Sequence, residues 1–339
     1  MGIERRVGGS PGDPFPVYPE LVKALAGAHV RAPLERDSTV AHVLGTCAGY
    51  AYADAEVVST TMSRLGLADH ACVHITQVVD AMFIYSTAYV LQSQCGRVVI
   101  LAYRGTEPAM AGNWLGDMDV GPDSSLLPAP GGLGELRVHG GFHRNLRATW
   151  TPVLEELGVA LSGKSLLDHR TPTPRPLEAI YVCGHSLGAG MATLFALKLA
   201  ADARHRKIAE RVRAVYTYGG PMAVLLPVPP GVDDWQRNVF RHVLPRDPVP
   251  ALPASTWGPF VHLGQEFRFL DGEWQRSPEP VPQLPSMRDI PRIVLSLVQR
   301  EERREATQYA MSEHGPQNYL DRLRPPGRVT EFGDDPLPG

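Results

Sequence analysis

A chain of 339 residues with 33 Lys and Arg against 36 Asp and Glu has room for one large or two modest domains and is nearly balanced in charge, at a formal −3. Its arginines are scattered among acids, so no phosphate-binding stripe forms and nucleic acid is excluded as a partner. No apolar run approaches the ~20 residues of a membrane span, and the start MGIERRVGGSPGDPFPVYPE lacks the apolar stretch of a secretory leader. The chain therefore reads as soluble, cytoplasmic if it is complete and secreted if a leader has been removed. Its four cysteines, Cys47, Cys72, Cys95 and Cys183, have neither metal-site nor disulfide-framework spacing and read as free thiols.

In chain order, YPELVKALAGA and VAHVLGTCAGYAYADAEVVSTTMSRLG have the look of helices, and ACVHITQVVDAMFIYSTAYVLQSQ alternates like antiparallel strands that extend a sheet. RVVILAY comes next, short, apolar and β-branched. AIYVCG, VRAVYTYG and NVFRHVL repeat its character further on, and strands apolar on both faces belong to a parallel sheet covered on both sides. Between them run FHRNLRATWTPVLEELGVALSG, with Leu146, Trp150, Val153, Leu154 and Leu157 on one side, and LGAGMATLFALKLAADARH. The Pro-rich pieces LLPVPPG, PALPAST and SPEPVPQLPS lack the donors for central strands and read as surface connections. DIPRIVLSLVQREERREA follows as an amphipathic helix with Ile290, Ile293, Val294, Leu297 and Val298 on one face. Strand and helix alternate, so the fold class is α/β, with a mostly parallel central sheet and helices on both faces. We expect one domain with its core over about 18–322 and a loose tail over about 325–339.

The junction of AIYVCG with the following helix spells GHSLG, a GxSxG match with a strand before it and a helix after it. So sharp a turn strains the middle residue and leaves no room for side chains two positions away, which accounts for Gly184 and Gly188. Ser186 is then pushed out at the carboxyl edge of the sheet, where the positive end of the helix favours negative charge on a bound carbonyl oxygen. A serine hydroxyl needs a base to take its proton and an acid to orient that base, in the chain order serine, acid, histidine. Of the twelve histidines only His205, His242, His262 and His314 follow Ser186. Asp247, just after a buried strand, is the preferred acid; Asp233 and Asp234 precede a strand and sit at the wrong end. That leaves His262, which alternates like a strand residue, and His314, in a loop able to reach the elbow. His314 is preferred, and it becomes the sole candidate if the acid is Asp271 or Asp289 instead. His185, beside the nucleophile, reads as a packing or hydrogen-bonding residue. For the oxyanion, the amide NH of Leu187 is one donor, and Thr106, in VVILAYRGTEP, is a candidate for the second.

From about residue 40 to 322 the ordered motifs YRGT, NWLGDMD, VHGGFHRNL, GHSLGAGMATLFAL, YTYGGP, RHVLPRDPVPALP, HLGQE and EHGPQNYL resemble the class 3 lipases, the fungal-lipase-like α/β-hydrolases. The resemblance implies an α/β-hydrolase fold, Ser186, Asp247 and His314 as triad, and Thr106 with Leu187 as oxyanion donors. It also implies a helical lid over about 107–120, in which Met110, Trp114, Leu115 and Met118 share one face and meet lipid or substrate. The function so implied is a serine carboxylic-ester hydrolase, a triacylglycerol lipase working through an acyl-enzyme on a lipid or ester substrate at a lipid–water interface. A phospholipase A1 or an esterase for short or aromatic acyl groups would use the same triad, and a lipid-binding pseudoenzyme would keep the scaffold alone. The scheme calls for neither metal nor organic cofactor.

Overall fold

A computed structural model describes residues 1–12, 15–30, 35–105, 124–132, 134–230, 232–285 and 311–334. Its strands are β1 (Gly2–Val7), β2 (Ala71–Val79), β3 (Ile84–Gln92), β4 (Val98–Tyr103), β5 (Ser124–Pro128), β6 (Glu135–His139), β7 (Ala179–His185), β8 (Val212–Tyr218), β9 (Val224–Leu225), β10 (Val239–Val243), β11 (Phe260–Val261), β12 (Gln265–Leu270) and β13 (Glu273–Ser277). The longer helices are α1 (Leu21–Gly27), α2 (Ser38–Tyr50), α3 (Ala55–Leu65), α4 (Gly140–Leu161), α5 (Leu187–Ala201) and α6 (Pro316–Leu323).

Nine strands form one sheet in the order β1-β2-β3-β4-β7-β8-β10-β12-β13. Its centre, β4 to β12, is parallel, and the strands flanking that centre are antiparallel. The four apolar runs are β4, β7, β8 and β10, and their alternate residues enter two different cores. Val99, Leu101, Ile180, Val182 and Val215 pack with α4 and α5 on one face. Val98, Ile100, Tyr181, Cys183, Tyr216 and Tyr218 pack with α1, α2, α3 and α6 on the other. Side chains alternate across a strand, so a strand with a core on each face must be apolar throughout. This is the α/β architecture expected, with helices on both faces.

The second core is tied to the sheet by phenol hydroxyls. Tyr181 donates to the Leu25 carbonyl at 2.7 Å, Tyr218 to that of Ala41 at 2.6 Å and Tyr89 to that of Ala53 at 2.7 Å. Each ring fills the layer while its hydroxyl finds an acceptor, which removes the cost of burying a polar atom. Asp37 and Asp54 cap α2 and α3, accepting from Val40 N and Val57 N, both at 2.9 Å.

Four features differ from the sequence reading. Strand β1 pairs with β2 at the sheet edge although most of its residues are exposed, and β11-β9-β6-β5 form a separate four-stranded antiparallel sheet. The first part of PALPAST, residues 250–254, is buried and not a surface connection. Prolines bring no N–H that needs a partner, so such a segment enters the interior cheaply, and the short helical turn Val249–Ala251 satisfies much of the rest. The tail, expected to be loose from 325, is docked as far as the described residues go. Tyr50 donates to the buried Glu331 carboxylate at 2.8 Å, Arg64 donates to its carbonyl at 3.2 Å, and Arg328 reaches the Val17 carbonyl at 3.2 Å. The helix expected over 289–306 lies outside the described residues. Among the described residues no helix is long and apolar enough to cross a membrane.

Candidate active site

Ser186 stands between the end of β7 and the start of α5 with φ 58° and ψ −129°, a left-handed conformation that a side chain adopts only under constraint. The constraint is the packing of the two flanking glycines. A Cβ on Gly184 would overlap the Gly188 carbonyl, and one on Gly188 would overlap the Tyr103 carbonyl at the end of β4. Gly105 sits beneath the serine in turn, with the position of its absent Cβ 2.7 Å from the His185 carbonyl and 3.1 Å from the Ser186 Cβ. Close approach of backbone is thus what holds the hydroxyl at the carboxyl edge of the parallel sheet.

The acid arises from β10. Four residues beyond the strand, after one tight turn, Asp247 is 1% exposed, and its Oδ1 accepts from Val249 N at 2.9 Å. Its Oδ2 accepts from the Tyr319 hydroxyl at 2.6 Å, and that hydroxyl accepts from Leu244 N at 3.2 Å. Burial strips a carboxylate of its water, and these donors take that water's place. Burial, reinforced by the neighbouring Asp247 carboxylate, drives the Tyr319 phenol well above its ordinary pKa, so it remains a donor.

His314 closes the arrangement from the turn before α6. Its Nδ1 lies 2.9 Å from Asp247 Oδ2 and 3.1 Å from Oδ1, and its Nε2 lies 2.8 Å from Ser186 Oγ. Against a carboxylate Nδ1 must carry the proton, which leaves Nε2 as acceptor for the serine hydroxyl. The His314 carbonyl accepts from His185 Nε2 at 2.8 Å, while His185 Nδ1 accepts from the Tyr52 hydroxyl at 2.9 Å. Burial, reinforced by the neighbouring His314 ring, depresses the His185 pKa well below the usual imidazole value. A neutral His185 with one donor and one acceptor matches both contacts, in keeping with the hydrogen-bonding part expected of it.

The other candidates lie elsewhere. His242 is buried and receives the Arg36 Nε–H at 2.9 Å; His262 donates through Nε2 to the Pro250 carbonyl at 2.7 Å; His205 sits 3.9 Å from Asp202. Asp234 pairs with Arg237 at 3.2 Å, and Asp271 occupies the exposed β12–β13 turn. Leu187 opens α5, and an amide in a helix's first turn has no intrahelical acceptor. Thr106, the lid residues Met110, Trp114, Leu115 and Met118, and Asp289 lie outside the described residues. Tyr319 and Tyr52 were not singled out from sequence. Tyr319 does stand inside the EHGPQNYL motif, one turn of helix beyond His314.

A parallel-centred sheet with a strand–serine–helix elbow at its carboxyl edge, and acid and base delivered after later strands, defines an α/β-hydrolase fold. Residues 100–257 match the family described as Lipase (class 3), and over that stretch the chain is similar to class 3 lipases, as the motifs imply. A secreted mono- and diacylglycerol lipase A of Penicillium cyclopium is 27% identical over 188 residues, covering 56% of this chain and 53% of that one; the Penicillium camembertii counterpart matches equally. The chain thus spans about half the length of the curated relatives it matches. Among solved structures, the native Rhizomucor miehei lipase propeptide complex gives a TM-score of 0.52 at 17% identity, covering 91% of this chain and 93% of that one. Lipase II from Rhizopus niveus gives 0.52 at 20% identity, covering 75% and 89%. At such identities these two likenesses concern the fold.

Proposed function

We propose that this chain is a serine carboxylic-ester hydrolase that cleaves acylglycerols through an acyl-enzyme on Ser186. One observation carries the reading: the unbroken relay from Ser186 Oγ to His314 Nε2 at 2.8 Å and from His314 Nδ1 to Asp247 Oδ2 at 2.9 Å. His314 takes the hydroxyl proton as Oγ attacks the ester carbonyl. It returns that proton to the departing alcohol when the tetrahedral intermediate collapses to the acyl-enzyme. Water then enters, gives a proton to His314 and attacks the acyl carbon; the acid leaves as the proton goes back to Ser186 Oγ. Asp247 holds the tautomer and stabilises the transient imidazolium, and the amide NH groups of Leu187 and Thr106 serve as donors to the oxyanion.

The Penicillium relatives, described as acting on mono- and diacylglycerols, support a glyceride substrate. Their description as secreted favours work outside the cell over work in the cytoplasm. Ser186 is 6% exposed, which supports a gate, and segment 107–120, carrying Met110, Trp114, Leu115 and Met118, is our choice for it. The test is Ser186→Ala. It should lower kcat/KM on a dissolved short-chain ester by on the order of 10⁴-fold or more and abolish labelling by a fluorophosphonate, with the melting temperature preserved. Turnover retained in that variant would sink the proposal.

A further inference from the structure

The β2–β3 hairpin ends at the same edge of the sheet as Ser186, and its tip is apolar. Val78, Met82 and Phe83 are 56%, 54% and 60% exposed. Tyr103 is level with Ala88 in β3 and with Gly184 in β7. From that level Ser186 is two residues on and Phe83, on the antiparallel strand, is five. At ~3.4 Å per residue the tip reaches roughly 10 Å beyond the elbow.

Phe83 is also held there. Its φ of 51° is left-handed, where glycine or asparagine would sit without strain and a bulky side chain is unfavourable. The buried Asn145 of α4 fixes the turn from behind, donating to the Phe83 carbonyl at 3.2 Å and accepting from Tyr85 N at 2.8 Å. A strained turn is braced from the core, and the aromatic ring it presents packs little against the fold.

We propose that the tip Val78–Phe83 is an anchor that seats in an uncharged lipid surface and orients the site toward it; the idea rests on the acylglycerol reading above. Three side chains on a hairpin tip are too few for a stable protein interface, which takes about 800 Å² from each partner. A lipid surface needs only that they leave water. Asp80 is the only charged residue from Val78 to Ser86, so the tip suits neutral or zwitterionic lipid and gains nothing from an anionic one.

The test measures partition of the full chain onto phosphatidylcholine vesicles containing dioleoylglycerol, in a Ser186→Ala background so that the lipid survives. Adding Met82→Ser and Phe83→Asn, the latter compatible with the left-handed turn, should weaken partition about 100-fold. The same pair in the chain with Ser186 intact should leave turnover of a dissolved short-chain ester within about two-fold and the melting temperature no lower. Unchanged partition, or partition that requires phosphatidylserine and vanishes in salt, would overturn the anchor. Absence of turnover in the unsubstituted chain would instead overturn the reaction assigned to Ser186, leaving the vesicle measurement to decide the anchor by itself.

Discussion

At Gly219 the chain leaves β8 with φ +56° and passes alongside the contact between acid and base. A Cβ there would stand 2.6 Å from Asp247 Oδ2, 3.0 Å from the Tyr319 hydroxyl and 3.1 Å from His314 Nδ1. Two independent penalties therefore fall on any substitution, the left-handed backbone and the collision with the relay. Gly219→Ala should lose about 1–3 kcal/mol of stability. It should also lose at least ~10²-fold in kcat/KM, because a displacement of an ångström at a reacting group is enough for that. Urea titration and turnover of a dissolved ester check the two effects separately. A Gly219→Ala variant of near-normal turnover would show that the Asp247–His314 contact is not what sets the rate.

At the scale of elements, the base depends on how α6 lies against α2. Leu323 packs over Gly45 and Leu320 over Gly49, a pair of small residues one turn apart on α2 that lets the two helices come close. A side chain at Gly45 would meet both Leu323 and the Tyr218 ring. Gly45→Leu should therefore lift α6 and carry Tyr319 and His314 with it. We expect a stability loss of about 1–3 kcal/mol from overpacking and a fall in kcat that exceeds any rise in KM, read from steady-state kinetics on a dissolved ester. A change in KM alone would place α6 with substrate binding instead. The elements on which the site stands were legible for a physical reason: β4, β7, β8 and β10 are apolar on both faces, and the elbow combines that signal with glycines spaced for close approach. Strand β1 was not legible, since it is mostly exposed and held by ladder bonds to β2, and β9 and β11, with two residues each, are too short for any period. Within the site, the elbow nominated Ser186, and chain order narrowed the base to four histidines; the strand before Asp247 and the loop around His314 were needed to prefer those two, with Asp271 and Asp289 left as other acids. Tyr52 and Tyr319 escaped because this chain also uses tyrosines such as Tyr89, Tyr181 and Tyr218 to tie its core, and spacing does not separate the two uses.

Across the whole molecule, histidine is used as an interior residue. His42 and His70 are buried, and burial above all holds their pKa values at about 4, with the Arg324 cation adding to the effect at His42 and the Leu67 carbonyl opposing it at His70. His185, His242 and His262 are depressed well below the usual value for the same first reason. Each of these imidazoles is neutral in the fold and takes up a proton near pH 6.5 once unfolded. Between pH 6.5 and about 4 the unfolded chain therefore binds more protons than the native one. The stability they confer is complete above pH 6.5 and is lost as the pH falls through that window. Each proton contributes a slope of about 1.4 kcal/mol per pH unit, so His42 and His70 together give about 2.7, and the other three add in the same direction. Unfolding free energies from urea titration at pH 7.5, 6 and 5 should fall steeply below 6.5. His42→Gln, which can still accept from the Tyr18 hydroxyl now 2.8 Å from His42 Nδ1, should lower the slope by about one proton. A free energy that is flat from pH 7.5 to 5 would mean that these rings already carry their protons inside the fold.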